Sequence, residues 1–395
     1  MADQLRGDCV CRNHHEKISY YSTHQPMFRH RTLAELRTAL AHSGEHRALV
    51  GFDGFVDTIV SAVGLRRGPG EDFSPIATIP EFAQRIAGAA GKSANYELYP
   101  RLEKLGGNAP IMANALAAAG AGVTVIAALG RPQVHPVFAE LAARARTFSL
   151  CAPATTTAVE FEDGKLMFGQ MRSLDEITYE RICEVLGEPA FVAELASAGL
   201  VALVNWTMVP NMTAIFEALL TRALPRLPAA PGRTIYFDLS DPEKRSPADL
   251  RGALAAIAGF ESFGRVTLGL NLKEAQQVAA ALAVTPAAGD EAGLREMCAA
   301  IRARLSVATV VVHPRESAAC ATAAGTWWIP GPYASQPKIA TGAGDHFNAG
   351  FATGQLLGLA PEACLTLGAA TSGHYVRTAT SPSLADLQTF LANWR

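Results

Sequence analysis

Charge is scarce in this chain and nearly balanced. Asp, Glu, Lys and Arg make up only 18% of 395 residues, and the formal net charge is -2. No overall electrostatic pull toward nucleic acid or acidic membranes is expected. Cysteine is sparse as well: seven residues, an odd number, scattered along a long chain. That pattern argues against a disulfide framework and for a reducing, cytoplasmic setting. The opening residues are polar and lack the basic-then-apolar order of a secretory signal. One long uncharged run exists, the twenty residues 111–130. Gly120-Ala121-Gly122 divides it into an Ala-rich helix and a β-branched strand, so no membrane span is expected. No G-x-G-x-x-G follows the first apolar strand, which argues against a dinucleotide-dependent dehydrogenase.

What is present suits a packed enzyme: 49% of residues are hydrophobic, with 34 Gly and 23 Pro. Residues 1–47 read as an N-terminal extension. Its Cys9, Cys11, His14 and His15 match no closed zinc pattern, so a tail is expected there rather than a metal site. Leu33–Ala41 has helical spacing. From residue 48 to 395, apolar runs alternate with amphipathic ones. Strands are expected at 48–52, 123–129, 200–206, 234–240, 265–271 and 308–314, with helices at 210–220, 246–258, 272–282 and 291–305. Such alternation predicts a doubly wound α/β domain with a largely parallel sheet covered on both faces. Two regions break the rhythm. Residues 155–170 read as a hairpin turning at Glu162-Asp163-Gly164, and 59–97 is Gly/Pro-rich and irregular. Lid elements over a substrate site are expected within 58–105 and 155–172.

The segment 341–351 (TGAGDHFNAGF) carries the strongest chemical signal. Glycine lets the backbone turn tightly and present consecutive N–H groups, and a helix start behind them makes an anion site. Asp345 follows in the same segment, where a carboxylate can take the proton of an attacking hydroxyl. Phosphoryl transfer needs both functions side by side. Three further patterns agree. Leu105-Gly106-Gly107-Asn108 leads into a small-residue helix. Asp53 and Asp57 follow the first strand and offer acceptors for hydroxyls. Asn271 and Glu274 share one face of a helix start.

The 341–351 string resembles the C-terminal signature of the ribokinase-like (PfkB) carbohydrate kinases, roughly D-T-x-G-A-G-D-x-F-x-x-G-F. It departs at the leading acid, where Ala340 stands. Residues 368–391 resemble that family's last helices, and the Gly106-Gly107 segment resembles its N-terminal motif. The resemblance implies a ribokinase-like fold and a kinase acting on an alcohol group of a sugar-like small molecule, with ATP as co-substrate. It implies Asp345 as catalytic base and Gly342, Ala343 and Gly344 as the anion hole. It further implies Asn271, Thr341, Gly342 and Gly344 at the nucleotide, and Glu274 organising Mg²⁺ through water. Asp53, Asp57, Gly106, Gly107 and Asn108 are the substrate contacts expected, with Arg172 a candidate for a phospho-sugar. The resemblance also allows a homodimer through the lid. GGNAPIMAN, the Gly51–Asp57 spacing and His313 lean toward the ADP-dependent sugar kinases of the same superfamily. A nucleoside kinase stays open. The intact Asp345 and glycines argue against a catalytically silent sugar- or nucleotide-binding regulator.

Overall fold

Apolar strands with side chains buried on both sides build the centre of the molecule. The computed structural model describes residues 27–41, 46–228, 230 and 232–394, so Cys9, Cys11, His14 and His15 lie outside the described residues. In chain order the strands are β1 (Arg47–Phe52), β2 (Phe55–Arg66), β3 (Phe73–Pro75), β4 (Leu98–Gly106), β5 (Gly122–Ala127), β6 (Arg146–Ser149) and β7 (Ala154–Phe161). They continue with β8 (Gly164–Gln170), β9 (Leu200–Leu203), β10 (Thr234–Asp238), β11 (Arg265–Leu270), β12 (Thr309–Val312), β13 (Ser317–Thr322) and β14 (Gly325–Pro330). A nine-stranded sheet runs β14-β13-β12-β11-β10-β9-β1-β5-β6. Its pairs from β12 across to β6 are parallel, and only β13 and β14 at one edge are antiparallel.

Period-two alternation feeds two cores, one on each face. Val201, Leu203, Ile235, Phe237, Val310 and Val312 join one cluster. Leu200, Ala202, Tyr236 and Val311, from the same strands, join the other. A strand buried on both faces must be apolar throughout, which is why these runs were legible. Helices cover both sides. The helix at 27–41 takes part: Leu36 is fully buried in the second core, and Arg31 bridges to Glu362 at 3.0 Å.

The uncharged run 111–130 divides as expected. The helix Asn108–Ala118 ends at Gly120, whose φ is +90°, and β5 follows. No described helix is long and apolar enough to cross a membrane.

A second, five-stranded sheet has the order β3-β2-β7-β8, with β4 paired to the other side of β2. Its hairpin β7–β8 turns at Glu162-Asp163, close to the expected position. The region expected to be irregular is more ordered than its glycines suggested. β2 alone spans twelve residues and runs well past Ile59, and the helix Ile79–Ala87 packs Phe82 against Val60 and Val159. One face of this sheet is thereby covered.

Candidate active site

Polar residues cluster where neighbouring parallel strands end. β1 leads to Asp53, β9 to Asn205, β11 to Asn271 and β12 to His313, while β10 ends on Asp238. The C-terminal edge of a parallel sheet is where doubly wound folds place ligands. A cavity of about 300 Å³ opens there, lined by Asn108, Asp238, Ser240, Asn271, Glu274, His313, Gly344 and Asp345. Five of these, Asn108, Asn271, Glu274, Gly344 and Asp345, were singled out from the sequence. Asp238, Ser240 and His313 were not given site roles. A polar residue directly following each apolar strand is the signal that would have found Asp238.

Two helix starts face this region and differ in an instructive way. The helix Asn108–Ala118 begins at Gly107 without a cap of its own. Asp53, fully buried, closes it from β1: its carboxylate accepts from Asn108 N at 2.9 Å and Ala109 N at 2.8 Å. Asn205 Nδ2 donates to the same carboxylate at 2.6 Å. Thus Asp53 sits beneath the cavity rather than in its lining. Gly107 has φ +90°, and a Cβ there would stand 2.9 Å from the Asp53 carboxylate, so glycine is required. The helix Ala343–Leu356 begins at Gly342 with φ +91° and no side-chain cap. By position its first N–H groups lack intrahelical partners. That of Ala343 donates to Ala340 O at 3.2 Å, so the turn itself uses one of the three expected anion-hole donors. Gly344, with Asp345 beside it, opens on the cavity.

Behind the loop a directed chain of hydrogen bonds holds it. Burial lowers the His346 pKa to about 4, so the ring is neutral at pH 7. Its Nδ1 contacts Gly342 O at 2.7 Å and must donate, since a carbonyl only accepts. Nε2 then accepts from Ser381 Oγ at 2.9 Å, and Ser381 accepts from Asn114 Nδ2 at 3.2 Å. Tyr375 stacks on His346 with ring centroids 3.6 Å apart and donates to Thr341 O at 3.0 Å.

Four carboxylates share the buried region, and all titrate upward. Asp345 is held well above the usual carboxylate range, by burial first, then by Asp238 and Asp53. Burial raises Asp238 despite bonds from Ser240 and Asn348. Asp53 is raised to about 6 by burial, against the bonds it accepts. Burial and then Asp238 raise Glu274 to about 7. Both Glu274 oxygens accept backbone N–H groups, from Asp241 and Asn271, each at 2.9 Å. Lone pairs remain for water, so Asp238 and Glu274 form an oxygen-rich donor set that fits a hydrated hard cation. A divalent cation would relieve the crowding of negative charge.

The small sheet closes the other side. Asp57, 6% exposed, lies on β2 with Lys104 Nζ 3.8 Å from its Oδ2. A Cβ at Gly106 would stand 2.4 Å from the Asp57 carboxyl carbon, so glycine there permits the approach. Arg172 is exposed at the start of the turn Arg172–Glu176, beyond β8, and does not line the cavity. The basic residue of this hairpin that reaches the loop is Lys165, whose Nζ donates to Thr341 Oγ1.

Fold and sequence together define a ribokinase-like carbohydrate kinase. A ribokinase from Cryptococcus neoformans, solved with ADP, superposes with a TM-score of 0.60 at 19% identity, covering 88% of this chain and 99% of that one. The Arabidopsis thaliana ribokinase solved with ribose and ATP gives 0.59 at 15% identity, covering 88% and 99%. Identities this low speak for the fold alone. The family described as prokaryotic ketohexokinase matches residues 30–394, so the chain belongs to that family. A curated relative, the ketohexokinase of Haloferax volcanii, is 29% identical over 350 residues, spanning 88% of this chain and 91% of its own. The chain is a carbohydrate kinase that transfers a phosphoryl group to a sugar hydroxyl.

Proposed function

We propose that this kinase moves the γ-phosphoryl of ATP to a hydroxyl of a ketohexose such as fructose, with Asp345 as general base. The observation that carries the reading is Asp345 in the cavity beside the uncapped start of Ala343–Leu356, with Asn108 on the same cavity wall. The O–H bond of the acceptor breaks, and its proton passes to the Asp345 carboxylate. The new O–P bond forms as the bond to the β,γ-bridging oxygen breaks, and that electron pair leaves with ADP. The N–H groups at Gly342–Gly344 stabilise charge on the phosphoryl oxygens. Asp57, Gly106, Gly107 and Asn108 hold the sugar hydroxyls, while Asp53 fixes the helix that carries Asn108. Asn271 and Thr341 border the nucleotide phosphates. Mg²⁺, held through water by Glu274 with Asp238, would supply positive charge at those phosphates. The family description and the relative's name support the ketohexose. An unphosphorylated sugar needs no basic contact, and Arg172 has no part in this reading.

One assay tests the whole. Wild type and Asp57→Ala are run over ketohexoses, aldoses and nucleosides, with ATP or ADP as donor and with Mg²⁺ or excess chelator. Turnover is expected with fructose and ATP, only with metal, and with a strongly raised sugar KM in Asp57→Ala, which loses a buried acceptor. Preference for a nucleoside or for ADP, full activity in chelator, or an unchanged KM each removes the corresponding part.

The small sheet also supports self-association. Leu65, Leu98, Leu102, Met167 and Phe168 on its strands are 37–65% exposed, an unusual share of the large apolar side chains left in water. A homodimer through this sheet is the assembly proposed. Sedimentation is expected to read twice the chain mass, and a mass matching one chain at micromolar concentration rejects it.

A further inference from the structure

The small sheet presents a chemically mixed face to the Gly-rich loop. Pairing of β2 with β4 sets Asp57 opposite Lys104, and pairing with β7 sets it opposite Thr156. Glu160, four residues beyond Thr156, pairs with Lys165 on β8. Side chains alternate with period two, so Asp57, Lys104, Thr156, Glu160 and Lys165 all stand on one face.

We propose that Lys165, with Lys104 beside it, is a further catalytic residue: its ammonium grips the transferred phosphoryl group from the side opposite the helix start at Gly342–Gly344. The proposal deepens the reading of Asp345 as base and rests on it. An exposed lysine on an edge strand commonly serves only to guard the edge. Lys165 does more, because its side chain reaches Thr341, the residue directly before the uncapped helix. A helix start is the positive pole of the helix, an unfavourable place for a lysine unless an anion comes between them. Lys104 adds a third positive group. Its side chain is only 15% exposed, and its contact with Asp57 at 3.8 Å is too long for a hydrogen bond. Burial lowers its pKa, Asp57 and Asp345 oppose that, and Lys165 adds to it. The acids near the pair are Asp57, Asp345 and Glu160. Asp57 and Asp345 are assigned to the sugar and its proton, which leaves two ammonium groups and a helix pole converging on one place. A group carrying more than one negative charge fits there. The phosphoryl in flight spreads its charge over three equatorial oxygens, and a compact ammonium with three donors suits them. No proton moves at either lysine.

The test uses the full chain with Lys165→Met and Lys165→Arg. Lys165 is exposed on an edge strand, so both variants are expected to melt as wild type does. For Lys165→Met, kcat should fall on the order of 10²-fold, the size of losing one transition-state donor, with the sugar KM little changed. A non-hydrolysable ATP analogue should bind more weakly by calorimetry, while ADP, which lacks the transferred group, binds as before. Lys165→Arg should recover part of kcat. A kcat near wild type overturns the proposal, as does equal weakening of ADP and the analogue, or a change in the sugar KM alone. Asp345→Asn, measured in parallel, separates the two ideas. If that variant stays active the base is wrong, whereas a silent Lys165→Met beside an inactive Asp345→Asn removes only the lysine.

Discussion

Asp345→Asn is expected to lower kcat by roughly 10²–10⁴-fold, the usual contribution of a general base, and to leave nucleotide affinity little changed. The substitution keeps the shape of the side chain and removes its capacity to accept a proton. Asp345 is the second residue after Ala343 in the helix, so the base and the N–H groups at Gly342–Gly344 are fixed by one stretch of backbone. That stretch is in turn held by His346 on Gly342 O and Tyr375 on Thr341 O, neither of which the substitution touches. Positioning of the phosphoryl group therefore survives and only proton removal is lost. The pH dependence has a definite sign. Burial, then Asp238 and Asp53, hold the Asp345 carboxyl well above its ordinary pKa in the unliganded protein. A base acts only when deprotonated, so kcat/KM, which reports the free enzyme, should rise with pH along an acid limb lying above the ordinary Asp range. The residual activity of the Asn variant should lack that limb. Steady-state rates across pH, with nucleotide titration by calorimetry, check both parts. Turnover near wild type would remove Asp345 as the base.

The parallel sheet could be read from the chain because every one of its central strands is buried on both faces. Such strands are apolar without interruption, and the helices between them carry strong boundaries. Ser246, Asn271 and Asp290 each cap the helix that follows with a side-chain oxygen. The small sheet was harder. β4 (LYPRLEKLG) is mostly exposed, contains Pro100 and has only three residues that are not exposed beyond Pro100, Lys104, Leu105 and Gly106, so neither an apolar run nor a clean alternation announces it. β2 is buried at its start and solvated at its end, so its pattern fades along its length. The same contrast governs the site. Asp345 and the glycines sit together in one string, and their chemistry is local. Asp238 acts through neighbours far away in sequence, accepting from Asn108 at 3.4 Å, Asn348 at 2.8 Å and Ser240 at 2.8 Å. Lys165 meets Thr341 across 176 positions. Nothing in the flanking residues of either could show such a meeting, because it is made by strand order and register.

Asp53→Ala is expected to cost roughly 3–5 kcal/mol of stability and most of the activity. The stability figure follows from three buried donors losing their acceptor together, each worth about 1–3 kcal/mol when left unsatisfied. Those donors are the N–H groups of Asn108 and Ala109 and the side-chain amide of Asn205. Two of them are the start of the helix that carries Asn108 into the cavity, so the loss reaches the sugar site through the backbone. Asp53→Asn should be milder, since an amide oxygen still accepts, but its NH₂ group must then face a donor. The comparison also has a pH signature. Asp53 has its folded pKa raised to about 6, by burial first, against an unfolded value of about 3.9. Between these values the native state binds the extra proton. The stabilisation from that proton is fully present below the unfolded pKa and is lost as pH rises through the folded one. The Asn variant lacks this titration, so the stability gap between wild type and Asp53→Asn should be wider at pH 5 than at pH 7.5. Urea unfolding at the two pH values, without sugar, reads it. A residue that only contacted sugar would leave unliganded stability unchanged in all variants, and that result would return Asp53 to the list of hydroxyl acceptors.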